Sequence, residues 1–179
     1  MNTPFFITSS APRCRTAWFA NLFTTDTTLC FHEPKESIEE LMAQYPQRRV
    51  GISSCMLGKD FEDLSERYPQ APWIYILRPY AETKASMLAF ARGRITGAEF
   101  DGLMKAYFQN GNEISGNPKT LAVQIENINM ILPQLWYHVL PEFPFDASRV
   151  HLLTELKVEQ RLEQAFNRFA EGRKMLWPQ

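Results

Sequence analysis

Residues Pro4–Phe23, PFFITSSAPRCRTAWFANLF, carry a strand, a polar loop and a helix start in immediate succession. Phe5, Phe6 and Ile7 form an apolar run too short for a helix and flanked by turn residues, as in a buried strand. Residues 9–15 interrupt it with Ser, Pro and Arg, and Ala17 to Phe23 resume an apolar pattern at helical spacing. A strand that feeds directly into a helix leaves several backbone N–H groups unpaired and aimed at one point. With the positive end of the helix dipole behind them, that point is an anion site. Arg13, Arg15 and the hydroxyl of Thr16 add charge and donors to it.

Working outward, a second apolar run, Trp73 to Leu77, is free of charge and bounded by Pro72 and Pro79. Near-continuous hydrophobicity marks a central parallel strand covered on both faces. Arg78 follows that strand, and a helix over residues 81–92 carries Ser86 two turns in. Further strands are predicted at 28–31, 49–53 and 121–125, with helices at 38–42 (capped by Ser37), 59–68, 99–108 and 128–139, the last interrupted at Pro133. Residues 93–97 and 143–145 read as turns. Residues 110–118, rich in Gly and Asn, read as a loop suited to a lid or insertion, and 158–174 as a charged amphipathic helix. Alternating strands and helices argue for an α/β fold with an open parallel sheet flanked by helices, and ligands of such sheets bind beyond the strands' carboxyl ends.

The first loop has neither the glycines nor the lysine of a nucleoside-triphosphate loop. It resembles instead the 5′-phosphosulfate loop of the P-loop sulfotransferase superfamily, roughly Pro-[Lys/Arg]-Ser-Gly-Thr-Thr-Trp. Pro12, Arg13, Cys14, Arg15, Thr16, Ala17 and Trp18 occupy those places, in a form similar to small bacterial and phage-type members. Cys14 stands where serine is usual. Arg15 stands where many relatives carry glycine, so it needs a loop without positive φ or accepts modest strain. Arg78 with Ser86 resembles the superfamily's 3′-phosphate signature, in which a planar guanidinium and a hydroxyl grip phosphate oxygens. The resemblance covers the first half of the chain well and the second half by element order alone; Arg173-Lys174-Met175 lacks the glycine of the late Arg-Lys-Gly motif. It implies a three-layer sandwich. It also implies a donor, 3′-phosphoadenosine 5′-phosphosulfate (PAPS), with adenosine 3′,5′-bisphosphate (PAP) as its product. Arg13, Cys14, Arg15, Thr16, Ala17 and Trp18 are then expected at the 5′ end, and Arg78 and Ser86 at the 3′ end.

Sulfuryl transfer needs an acceptor hydroxyl to lose a proton, and cations or amides to absorb charge on the leaving phosphate. Arg13 is a candidate for the second task. For the first, the segment CFHEP after the second predicted strand offers Glu33, which resembles the glutamate some sulfotransferases use there, and His32, which could titrate near neutrality. His138 and His151 read as packing histidines, and Arg92 and Arg94 as solvated. A phosphate-transferring kinase is the rival enzyme, although it would want a carboxylate at a strand end to hold Mg²⁺, where Arg78 stands. A degenerate relative that binds nucleotide or partner without turnover is the rival from another class.

At 179 residues the chain is expected to form one domain, 1–179, and its 45% hydrophobic and 22% charged residues are ordinary for a soluble globular protein. A net charge of −1 gives no reason to expect nucleic acid or membrane surfaces as partners; the resemblance implies a small-molecule or peptide hydroxyl acceptor. Cys14, Cys30 and Cys55 lack metal-like spacing and suit a reducing cytoplasm, so neither a metal nor a secretory route is expected.

Overall fold

The computed structural model describes residues 3–108 and 110–155. Five strands, β1 (Phe5–Ser9), β2 (Thr28–His32), β3 (Arg49–Ser53), β4 (Trp73–Leu77) and β5 (Thr120–Gln124), form one sheet in the order β2-β3-β1-β4-β5. Every pairing is parallel. The apolar runs that predicted β1 and β4 lie side by side at the centre, Phe6 opposite Trp73 and Ser9 opposite Ile76, and β1 is buried along its whole length. From β1 the chain leads to β2 at one edge, and from β4 to β5 at the other. The connections diverge between β1 and β4, and that divergence opens the crevice used for ligands in open α/β sheets.

The period-2 alternation of the strands sorts side chains into two cores. Phe5, Ile7, Ile74 and Ile76 pack on one face with α1 (Thr16–Leu22), α4 (Tyr80–Ala91), α5 (Gly97–Phe108), α7 (Leu132–Val139) and α8 (Ala147–Glu155). Phe6, Ile52, Trp73 and Tyr75 pack on the other with α2 (Ile38–Gln44), α3 (Phe61–Arg67) and α6 (Gly111–Gly116). Gly51 is obligatory for the first core. The Phe5 ring lies over it, 2.2 Å from where a Cβ would sit, so any side chain would push the ring off the sheet.

Ser37 starts α2 with a reciprocal capping box: its Oγ accepts from the Glu40 N–H (3.2 Å) and Glu40 accepts from the Ser37 N–H (2.7 Å). Four elements differ from expectation by more than a shift of their ends. Residues 110–118 are not a loop: Ile114 drives into the second core at 2% exposure, and that burial outweighs the poor helix propensity of Gly and Asn to form α6. The expected helix at 128–139 is a 3₁₀ helix, Ile125–Met130, followed by α7, because Pro133 fits a first turn and not an interior. The predicted helix at 59–68 is likewise split, into a 3₁₀ helix at Leu57–Asp60 and α3. Helix α8 gave no clear periodic signal; Leu153 is buried, and Arg149 fastens the helix by donating to the carbonyls of Asn21, Leu22 and Thr24 at the end of α1. The amphipathic helix expected at 158–174 lies outside the described residues. No helix among the described residues is long and apolar enough to cross a membrane.

Candidate functional site

The loop between β1 and α1 sits at the carboxyl edge of the sheet, at the divergence of β1 and β4. Its first residues continue the sheet: the Ser10 N–H donates to the Ile76 carbonyl (2.9 Å), and Ser10 Oγ accepts from the Arg78 N–H (3.2 Å). Beyond Pro12 the backbone turns sharply, and both arginines adopt left-handed conformations, Arg13 at φ 66° and Arg15 at φ 61°. Arg15 thus takes the strained backbone that glycine would adopt freely. Phe19 is the first residue of α1 whose N–H reaches a helical carbonyl, that of Arg15 (3.0 Å), so the N–H groups of Thr16, Ala17 and Trp18 precede the ladder.

Both halves of the sequence signature meet here. Arg78 crosses from the end of β4 and donates from Nη1 to the Arg13 carbonyl (2.8 Å). Its Nε is buried without a hydrogen bond, and the nearest carboxylate, exposed Glu82, is 3.8 Å away. The Arg13 guanidinium lies 4.4 Å over the ring of Phe90 on α4. Ser86 is half-buried one turn before Phe90, so Arg13 and Ser86 address the same stretch of that helix. Arg15 reaches the opposite way, donating to Asn129 Oδ1 (3.3 Å) in the 3₁₀ helix after β5. Cys14 is buried in the core, and burial pushes its thiol up to about 11, so its side chain is a filler rather than a nucleophile. The Trp18 ring packs against the same core, which leaves Trp18 only its backbone to offer the loop.

On the other side of the loop, His32 and Glu33 follow β2. His32 Nε2 lies 3.1 Å from the buried hydroxyl of Thr16 and 3.8 Å from Glu33 Oε1. Glu33 is left-handed at φ 47°, its N–H held by the Ser53 carbonyl (3.2 Å) and its carboxylate by the Cys55 thiol (3.6 Å). The Glu33 side chain retains 25% exposure, and His32 turns its Nε2 inward to Thr16, so the carboxylate is the better placed of the two to meet an incoming hydroxyl.

His138 anchors the sheet instead, Nε2 lying 3.0 Å from the carbonyls of Trp73 and Lys119. His151 is not the packing histidine expected: it is exposed on α8 and lies 3.3 Å from Glu155. Arg92 and Arg94 are exposed at the end of α4. Ser10, Ser53, Cys55 and Asn129 escaped the sequence reading. The first three sit within two residues of a strand's carboxyl end, a positional signal that could have found them; Asn129 carries none. Among the described residues no group of His, Cys, Asp and Glu is arranged to hold a metal.

No protein-family model and no curated protein matches the chain. Solved structures do. A mouse sulfotransferase, SULT7A1, complexed with PAP, matches 88% of this chain with a TM-score of 0.60 and 18% identity, and this chain spans 66% of that one. A sulfotransferase from Alicyclobacillus acidocaldarius matches 87% with a TM-score of 0.53 and 12% identity, 92% of its own length being covered. At such identities the likeness is one of architecture: the chain has a sulfotransferase-like α/β fold, with an all-parallel five-stranded sheet between helices.

Proposed function

We propose that the chain is a single-domain sulfotransferase that moves a sulfuryl group from PAPS to a hydroxyl acceptor. The observation that carries this reading is the meeting of Arg78 with the Arg13–Thr16 loop across the divergence of β1 and β4. Two phosphate grips, written 62 residues apart between Thr16 and Arg78, are brought to one edge of the sheet. The residues suit the donor. The buried Nε of Arg78 lacks a hydrogen bond, and a 3′-phosphate would outcompete the exposed Glu82 for it. The strands flanking β1 end in Ser53–Ser54 and Leu77–Arg78, neither giving the carboxylate that a Mg²⁺-dependent phosphate transfer would place there.

In this reading the N–H groups of Thr16, Ala17 and Trp18, with Arg15, hold the 5′-phosphosulfate, and Arg78 and Ser86 hold the 3′-phosphate. Arg13, in the same loop, is assigned the charge that develops as the bond from sulfur to the bridging phosphate oxygen breaks. Glu33 accepts the acceptor's proton as the new oxygen–sulfur bond forms, and PAP leaves. His32 fixes the Thr16 hydroxyl. The test is transfer of radiolabelled sulfuryl from PAPS to a panel of phenols, sugars and short peptides, with donor hydrolysis as a second readout. Label appearing in an acceptor or as free sulfate, without added metal, is the expected result. Tight PAPS binding with no label transferred or released would favour a non-catalytic nucleotide binder.

A further inference from the structure

The segment after β3 holds the two halves of the proposed reaction in register. Ser53 Oγ donates to the Thr16 carbonyl at the start of α1 (2.8 Å), tying down the donor side. The Ser53 carbonyl accepts from the Glu33 N–H (3.2 Å), securing a residue whose left-handed backbone would otherwise relax. Two residues on, the Cys55 thiol lies 3.6 Å from Glu33 Oε1 and donates to it. The backbone of this bracket is itself pinned to the central strand, the Ser54 N–H donating to the Ile7 carbonyl (2.9 Å), and the Met56 N–H donates to Ser54 Oγ (3.0 Å). Four hydrogen bonds of residues 53–55 therefore converge on β1, α1 and Glu33, and the one from Met56 closes the turn on itself. A single one of them reaches the carboxylate.

We infer that Cys55 is a positioning residue, its thiol aiming the Glu33 carboxylate at the acceptor hydroxyl beside the Arg13–Thr16 loop. The inference rests on the sulfotransferase reading and adds to it a residue that no sequence motif marks. Cys55 differs from the other cysteines in its surroundings. Cys14 and Cys30 are buried in the core with thiols pushed up by burial, whereas Cys55 is half-buried beside a carboxylate. In-line attack on sulfur demands a base within hydrogen-bond reach of the attacking oxygen, and misplacement by about 1 Å can cost ~10²-fold. His32 Nε2 stands 3.8 Å from the same Oε1, beyond hydrogen-bond reach, whereas the Cys55 thiol is within the range of a sulfur hydrogen bond at 3.6 Å.

The experiment compares Cys55→Ala, Cys55→Ser and methylthiolated wild type, measuring turnover, donor KM and PAP affinity for each. A thiol is a weak donor, so Cys55→Ala should lower kcat by about tenfold while donor KM and PAP affinity stay within a few-fold. Cys55→Ser keeps a donor and should recover most of the turnover. Methyl methanethiosulfonate, which caps the half-exposed thiol on folded protein, should reproduce the alanine effect, and dithiothreitol should reverse it. Wild-type turnover in Cys55→Ala would overturn the inference and leave the sulfotransferase reading standing. So would a serine variant as impaired as alanine, or equal losses in kcat and PAP affinity, since either makes Cys55 a packing residue. A wild-type protein that neither binds PAP nor consumes donor removes both readings together.

Discussion

Replacing Glu33 by glutamine lowers turnover by ~10²–10⁴-fold, the usual contribution of a general base, while nucleotide affinity stays within a few-fold. Glutamine preserves the shape of the side chain and still offers an oxygen to the Cys55 thiol, so the bracket from β3 survives the change. What disappears is the ability to take a proton. His32→Gln is the control. Because His32 Nε2 contacts the Thr16 hydroxyl, its loss should appear in donor affinity as well as in turnover. The assignment is reversed if His32→Gln shows the turnover-only loss and Glu33→Gln does not. Wild-type turnover in both variants would remove the segment after β2 from the mechanism.

Arg78→Ala gives the second large effect, on the 3′-phosphate. Loss of a charged hydrogen bond is worth ~1.5–3 kcal/mol, over tenfold in affinity, so PAP should weaken by at least that much. The structure adds a second consequence. Arg78 also braces the loop through the Arg13 carbonyl, so adenosine 5′-phosphosulfate, which lacks the 3′-phosphate, should weaken too, but less. The difference between the two losses, read by calorimetric titration, isolates the 3′ grip. Equal losses for both nucleotides would make Arg78 a loop brace and nothing more.

The fold was legible because strand burial is written plainly in this chain. Residues 73–77 and 49–53 are delimited correctly by the sequence, since the first is an apolar run between prolines and the second holds the short apolar stretch Val50–Ile52 between charged and hydroxyl residues. Helix α2 was legible for a local reason, the Ser37–Glu40 capping box. Helix α6 was not, because it exists through the burial of one residue, Ile114, and its Gly and Asn favour a loop wherever that contact is missing. Helix α8 is held largely by long-range bonds from Arg149 to carbonyls more than 120 residues earlier, which no local pattern can announce.

The candidate site divides in the same way. Its charged groups stand at strand ends and could be named from sequence, but their couplings could not. The glycine that Arg15 replaces leaves open whether the loop avoids positive φ or accepts strain, and nothing in the spacing says that Arg13 would share that conformation or lie over Phe90. Nor does it say that Glu33 would be held by Cys55 and the Ser53 carbonyl, 20 or more residues downstream. Such contacts are set by strand order: β3 lies between β2 and β1, and its carboxyl end therefore falls between Glu33 and the loop.

In the proposed function the edge of β1 and β4 binds a nucleotide carrying phosphate at both its 5′ and 3′ positions, without metal. Thermal unfolding in EDTA with added PAP tests it directly, since a ligand that binds the native state alone stabilises it by RT ln(1 + [L]/Kd). At PAP about a hundredfold above its Kd this is ~2.7 kcal/mol, a rise in Tm of several degrees for a chain of this size. That rise is expected with PAP in EDTA, and a clearly smaller one with ATP and Mg²⁺. No shift with PAP, equal shifts for PAP and ATP, or a strict requirement for Mg²⁺ would contradict it.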